Sequence, residues 1–176
     1  MDLLKVEIDV KGALEALAAL PPAAMQSAWR RTLRKTAAWI KSQTAKDVGR
    51  ATGIQQKVIR QRTYFYMRSA DSGKVWLGLN PIGAHRLGAV RRTRKGIRAG
   101  KTLFEGAWRM TEKAPDGPVF RRTGKGRTPI EVVRFDWAHE GDPAFRRAAR
   151  ACEERLLAVL RQEVNYEIQK AAGRAR

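Results

Sequence analysis

The sequence predicts an α+β fold, because two long helical patterns flank a series of short alternating segments. Apolar residues recur at helical spacing from Met25 to Val48, and again from Phe145 to Ile168. Between these regions, aromatic and β-branched runs are separated by turn residues, a pattern typical of strands. We therefore expect a small, mostly antiparallel sheet packed by a long helix from the N-terminal half and a long C-terminal helix, with an extended basic loop.

Length and composition favour one soluble domain over residues 1–176. The chain is 43% hydrophobic and carries 36 Lys+Arg against 17 Asp+Glu, a formal charge of +19. A chain of this size buries roughly 70% of its unfolded surface. The longest uncharged run, from Ala16 to Trp29, is too short to span a bilayer, and the acidic N-terminus does not resemble a signal peptide. The single cysteine, Cys152, excludes an intrachain disulfide and a cysteine-built zinc site. We expect a protein made in a reducing compartment, with an anionic or oligomeric partner.

The positive charge is concentrated in two inner blocks. Residues 27–70 hold eleven basic residues against one acid, Asp47, and residues 86–128 hold thirteen against three. Both ends of the chain are close to neutral. Such blocks usually face a polyanion or an acidic protein surface. In the first block a solvated helix face explains the charge equally well, whereas the second block has no helical pattern.

The N-terminal half reads as one strand followed by three helices. Apolar and charged residues alternate from Leu4 to Val10, which predicts a strand, and residues 13–20 predict a short helix. Pro22 suits the first turn of the long helix, since its missing N–H costs little there. Thr52 and Gln55 resemble a capping box that opens a short helix ending at Arg62.

The middle of the chain predicts a hairpin, a loop and three further strands. The runs YFYM (64–67) and KVWLGL (74–79) are joined by SADSG and read as a β-hairpin. Its aromatic residues suit stacking on bases, but we expect them to fill a sheet face instead; they are Tyr64, Tyr66 and Trp76. Residues 82–101 have no usable periodicity and predict a basic mobile loop. Strands are predicted within 102–110, 118–123 and 128–135.

The last predicted element is a helix of about 28 residues. Asp142 and Pro143 are expected to begin it as N-cap and first helical residue, and it is expected to end before Gly173.

No combination of residues in the sequence predicts catalysis, a cofactor or a metal site. His85 and His139 are far apart, and Cys152 lies on the apolar face of a helical pattern, as an inert buried thiol does. The run Gly124-Lys125-Gly126-Arg127 lacks the spacing of a phosphate-binding loop. We therefore predict a protein that is not an enzyme.

Three segments of the sequence resemble the minor tail protein Z family, the tail completion proteins of lambda-like long-tailed bacteriophages. The first runs from KVEIDV at Lys5 to VIRQR at Arg62 and has the strand, short helix, long helix and basic third helix of that family. The second, LNPIGAHRLGAVRRTRKGIRAGK (79–101), matches a Leu-Gly step and a basic loop. The third, from Gly124 to Leu156, contains an R-x-PI-x-VV element formed by Arg127, Pro129, Ile130, Val132 and Val133.

The resemblance implies a structural virion protein that is made in the host cytoplasm and completes the head-proximal end of the tail. It implies a ring of six copies that joins the tail terminator to the head–tail connector, with no cofactor and no membrane partner. In that ring the basic loop would face the backbone of the phage DNA or an acidic neighbouring protein, through Arg91, Arg92, Arg94, Lys95, Arg98 and Lys101. Other basic residues would contact adjacent subunits: Arg30, Arg31, Arg34, Arg121, Arg122 and Arg127.

Two further interpretations remain open at this point. Composition alone also fits a sequence-nonspecific nucleic-acid-binding protein, although the sequence has no helix-turn-helix, zinc-finger or RRM-type motif. A head–tail adaptor of the wider completion class differs mainly in which ring it contacts. In either phage role, repulsion between charges and the entropy of glycine predict that the loop is disordered in the free protein.

Overall fold

The computed structural model describes residues 20–110 and 117–173, and within them the fold is α+β as predicted. Four α-helices are present in these residues: α1 (Pro22–Thr52), α2 (Gln56–Arg62), α3 (Ala138–Arg150) and α4 (Cys152–Ala171). The strand predicted at 4–10 and the helix predicted at 13–20 lie outside the described residues, apart from Leu20.

Ten short strands form four antiparallel sheets in the described part of the chain. The first sheet pairs β1 (Thr63–Met67) with β2 (Gly73–Leu77), and the second pairs β3 (Ile82–Gly83) with β10 (Arg134–Phe135). The third has the order β4–β5–β6, formed by Val90–Thr93, Gly96–Ala99 and Thr102–Glu105. The fourth has the order β7–β8–β9, formed by Trp108–Arg109, Val119–Arg122 and Ile130–Val132.

The chain is divided into two compact units that are interleaved along the sequence. One unit combines the described residues up to Gln43 with Thr63–Leu77 and the residues from Phe145 onward. The other combines Thr44–Arg62 with the described residues of Gly78–Ala144. Each unit contains its own apolar cluster, although length and composition favoured one domain. The assignment of residues 1–176 to one domain stays a prediction.

The core of the first unit lies between two helices and the inner face of the hairpin. Ala28, Trp29 and Leu33 of α1 pack with residues of α4, and Phe65 and Met67 of β1 pack against them. The α4 residues in this cluster are Leu156, Leu160 and Val164. The Trp29 indole N–H also donates to the backbone oxygen of Asp71, at 2.7 Å. The helical spacing read from the sequence is thus the spacing of buried residues.

The hairpin is confirmed, but two of its aromatic side chains do not fill a core. Tyr64 pairs with Trp76 and Tyr66 pairs with Lys74, so these side chains share the outer face of the ribbon. Tyr64 is 44% exposed and Tyr66 is 54% exposed. The expectation that they pack inside is therefore wrong, because Phe65 and Val75 supply the inner face.

The second unit is built mainly from sheets. Its apolar cluster comprises Ala84, Ile97, Ala107, Val119 and Val133, which come singly from strands and from the connections between them. Val90 and Phe104 cover its margin. All three later regions predicted as strands contain strands, within 102–110, 118–123 and 128–135.

The predicted start of the C-terminal helix is wrong by five residues. Helix α3 begins at Ala138, where the Asp136 carboxylate accepts a hydrogen bond from the Ala138 backbone N–H at 3.0 Å, and Pro143 lies inside the helix. The expected single helix is also interrupted at Ala151, which forms a turn between α3 and α4. Asp136 supplies the acceptor that the sequence pattern assigned to Asp142.

Candidate nucleic-acid interface

The basic segment predicted as a loop forms most of a three-stranded antiparallel meander, β4–β5–β6. Ile97 and Ala99 of the central strand are buried, and Val90 and Phe104 flank them on the same side. These apolar contacts order the segment despite its charge. The prediction of a loop without regular structure over 82–101 is therefore wrong.

Arg91 and Arg98 lie directly opposite each other on the outward face of this meander. Both side chains are exposed. Like charges in cross-strand positions destabilise a sheet, so the fold itself gains nothing from this pair. One acid, the exposed Glu105, lies two positions away on the same face, opposite Gly96. The face therefore keeps an excess of positive charge that an anion would offset.

A tight turn presents two more of the predicted basic residues. Arg94 and Lys95 connect β4 to β5 and are exposed. The Thr93 hydroxyl donates to the Gly96 backbone oxygen at 3.0 Å, and the Lys95 backbone oxygen accepts from the Gly106 N–H at 2.9 Å. Gly96 has a φ of +148°, and a Cβ there would lie 2.2 Å from the Phe104 oxygen. The turn is thus held by the backbone, which leaves both charged side chains available to a ligand.

The same turn forms one wall of an open concavity of about 460 Å³. Its basic lining residues are Arg92, Arg94, Lys95 and Arg109, and Trp108 supplies an aromatic wall. No acidic side chain lines it among the described residues. A concavity lined by cations and an aromatic ring has the chemistry of phosphate and base contacts.

Five of the six predicted contact residues lie on the meander, distributed over its two faces and its first turn; Arg92 pairs with Ile97, on the face opposite to Arg91 and Arg98. Arg91 and Arg98 share a face, while Arg92, Arg94 and Lys95 line the concavity. Lys101 lies in the following turn, where its stem packs against Gly53. Trp108 and Arg109 also line the concavity but were not predicted as contact residues; the signal in the sequence was an adjacent Trp-Arg pair within a predicted strand.

The predicted interface arginines of α1 have different environments. Arg30 and Arg34 are exposed, so their role between subunits stays a prediction. Arg31 instead donates hydrogen bonds to Glu163, at 2.5 Å, and to Glu167 within its own unit. Its guanidinium also lies over the Tyr166 ring, 5.1 Å from the centroid. The charge of Arg31 is therefore balanced by two carboxylates of the same chain.

The other three predicted interface residues belong to the sheet β7–β8–β9 and its connections. Arg121 forms an exposed ion pair with Glu131 at 2.9 Å, and Arg122 lies over the Trp108 ring, 5.6 Å from the centroid. Arg127 is exposed in the segment between β8 and β9. Their contact with another subunit stays a prediction.

The remaining features are the single cysteine, groups that could bind a metal, and helices that could cross a membrane. Cys152 is buried, and burial raises the pKa of its thiol. Within residues 20–110 and 117–173, no three His, Cys, Asp or Glu side chains are grouped so as to hold a metal ion. None of the helices described has the length and apolar character required to cross a bilayer.

The meander predicts that the amides of Ile97, Arg98 and Ala99 exchange slowly with solvent in the free protein. They belong to the central strand, which is bonded on both sides. Hydrogen exchange followed by NMR or mass spectrometry measures this. The exposed residues 124–127, which lie outside the strands, serve as the fast-exchanging reference. Exchange at β5 as fast as at 124–127 would restore the prediction of a disordered loop.

The geometry defines a small basic α+β protein that exposes positive charge on its helices and on a three-stranded meander. Comparison with known families then identifies it: the family model described as prophage minor tail protein Z matches residues 9–174. The chain belongs to the prophage minor tail protein Z family and is thus a tail protein of the phage particle. No curated protein and no solved structure matches the chain.

Proposed function

We propose that the protein is a structural, non-enzymatic subunit that completes the head-proximal end of the tail. Six copies form a ring between the tail terminator and the head–tail connector. The family match supports the role in the tail. The proposed contact with the genome rests on the surface of the meander β4–β5–β6.

The main support for a contact with the genome is that Arg91 and Arg98 lie opposite each other on adjacent strands. Their repulsion opposes formation of the strand pair in the absence of an anion, whereas phosphate groups on this face would remove that cost. The turn residues Arg94 and Lys95 extend the positive surface. Point charges of this kind neutralise phosphates and read no sequence, which suits a ring through which any genome end must pass.

Binding of random-sequence DNA should therefore become weaker and less salt-dependent when these charges are removed. Each phosphate contact contributes a slope of about −0.9 to the plot of log K against log salt. Replacing Arg91, Arg94, Lys95 and Arg98 together by alanine should make the slope less negative by roughly three to four. Fluorescence anisotropy between 50 and 200 mM salt (about the range over which such contacts are lost) measures the change.

The matched control removes the same number of charges from exposed positions on α3 and α4. These positions are Arg150, Arg155, Arg161 and Lys170. The control should leave the slope nearly unchanged. Equal effects of the two variants would show that net charge alone drives binding, and no binding at low salt would exclude DNA as the partner of the meander. Tight binding by the free protein at physiological salt would instead favour a dedicated nucleic-acid-binding protein.

A further inference from the structure

The middle of the R-x-PI-x-VV element, Ile130–Val132, forms an exposed edge of a sheet. Ile130 and Val132 belong to β9, the outermost strand in the order β7–β8–β9. Their side chains are 39% and 40% exposed, which is high for aliphatic residues of a sheet. Exposed apolar edge strands pair readily with another chain, and proteins usually protect them.

The hydrogen bonds of β9 show which of its backbone groups point away from the sheet. The Thr123 N–H donates to the Pro129 oxygen at 3.2 Å, and the Val133 N–H donates to the Val119 oxygen at 2.8 Å. Backbone groups alternate in direction along an antiparallel strand. The N–H and C=O groups of Ile130 and Val132 therefore point outward, where a further strand would bond to them.

The chemistry around this edge restricts what binds there. Val132 lies opposite Phe120, which in turn lies opposite Trp108, so one face beside the edge is apolar. The surrounding exposed charges are mainly positive: Arg121, Arg122, Lys125 and Arg127, with Glu131 as the acid among them. A matching strand needs apolar residues at alternate positions and acids between most of them.

Residues 4–10 of this chain, which lie outside the described residues, have that pattern. Leu4, Val6, Ile8 and Val10 alternate with Lys5, Glu7 and Asp9. We propose that residues 4–10 of a second copy add to β9 as an antiparallel fourth strand. This proposal rests on the ring in the proposed function. The donor strand and the acceptor edge are different surfaces, and pairing of that kind closes rings head to tail.

One register satisfies both faces of the added strand. With Val6 opposite Ile130, Leu4 lies opposite Val132 on the apolar face. On the other face Lys5 then lies opposite Glu131, while Glu7 and Asp9 extend past the end of β9, toward the basic segment that contains Lys125 and Arg127. Opposite charges in such cross-strand positions stabilise the pairing.

Cysteine cross-linking in assembled tails tests this register. Two singly substituted chains, Lys5→Cys and Glu131→Cys, are co-expressed in a Cys152→Ala background, and purified tails are oxidised gently. Opposed residues of adjacent strands lie within disulfide range, so a linked dimer of the two different chains is expected. The matched control replaces Lys5→Cys by Val6→Cys, whose side chain points to the other face, and should give little linked dimer.

Two results would overturn the proposal. A chain that carries both Lys5→Cys and Glu131→Cys and forms only intramolecular disulfides would show that the segment binds its own edge. If the linked dimer is no more abundant than in the control, residues 4–10 do not bind to β9. The edge is then covered by a different protein or is left uncovered. The cross-link requires no DNA. If it fails while DNA binding shows the expected salt dependence, the strand pairing is wrong but the proposed contact with the genome still stands.

A proline variant provides a second measurement. Val132→Pro removes an N–H that points outward, so the bonds from β9 to β8 are kept while strand addition is blocked. Incorporation of this variant into tails should fall at least tenfold, whereas Val132→Thr, which keeps the N–H, should be incorporated nearly normally. Hydrogen exchange at β8 in the free Val132→Pro protein checks that the sheet is intact. Normal incorporation of an intact Val132→Pro protein would contradict the proposal.

Discussion

Replacing Trp137 by alanine is expected to lower the free energy of unfolding by about 3–5 kcal/mol. Trp137 is fully buried in the second unit, directly before α3, and its indole N–H donates to the Asn80 backbone oxygen at 3.1 Å. The ring also packs against Gly141, where an added Cβ would lie 2.8 Å from it. Alanine would leave a large cavity and remove the hydrogen bond to Asn80, and close-packed neighbours relax only partly into such a cavity.

Urea unfolding followed by circular dichroism measures this loss. Trp137→Phe retains most of the buried apolar volume while removing the N–H donor, so it should cost much less than Trp137→Ala. A loss below about 1 kcal/mol for Trp137→Ala would mean that the ring is not packed as described.

Replacing Glu163 by glutamine is expected to cost about 1.5–3 kcal/mol at neutral pH. Glu163 is buried at 4% exposure, and it accepts hydrogen bonds from Arg31 and from Lys35, each at 2.5 Å. Glutamine keeps the volume but removes the charge that both cations require. The matched control is Glu154→Gln, an exposed acid on the same helix, which should change stability by less than about 0.5 kcal/mol.

The same residue predicts how stability depends on pH. Burial disfavours the charged carboxylate, but hydrogen bonds from Arg31 and Lys35 outweigh burial and lower the pKa of Glu163. Burial also acts against the Arg31 charge, and Glu163 and Glu167 overcome it and raise the pKa of Arg31. A lowered carboxyl pKa stabilises the fold above the ordinary value of about 4.3, and this contribution is lost as the pH falls through the lowered value.

Urea unfolding at a series of pH values between neutral and strongly acidic conditions tests this sign. The difference in stability between the unsubstituted protein and Glu163→Gln should be largest near neutral pH and should shrink as the pH falls below the ordinary carboxyl range. A difference that stays constant with pH, or one that Glu154→Gln reproduces, would show that the carboxylate does not stabilise the first unit.

The elements that the sequence predicted correctly are those with a clear period. The long helix and the hairpin each present one apolar face over several residues, and the later strands lie in runs that contain β-branched and aromatic residues. The first two strands of the meander, β4 and β5, escaped prediction because basic residues and glycines outnumber apolar residues in them and in the turn between them. In β5 the buried Ile97 and Ala99 flank a single arginine, too short a run to reveal a period of two.

The candidate site was predictable in composition but not in arrangement. The sequence located the charges that the meander exposes, yet the opposition of Arg91 and Arg98 depends on a register that only the fold defines. The ion pair between Arg31 and Glu163 was also not predictable from the sequence, since the two residues are 132 positions apart along the chain. Local patterns report helix faces and strand faces, whereas long-range pairs follow from how the elements pack.

The position of the protein in assembled tails tests the central claim most directly. Electron cryomicroscopy of tails with and without the protein locates it, and the meander β4–β5–β6 is recognisable from its three strands. We predict a ring of six copies at the head-proximal end, with the face that bears Arg91 and Arg98 turned toward the central channel. Density elsewhere on the tail, or a ring whose meander faces away from the channel, would contradict this account.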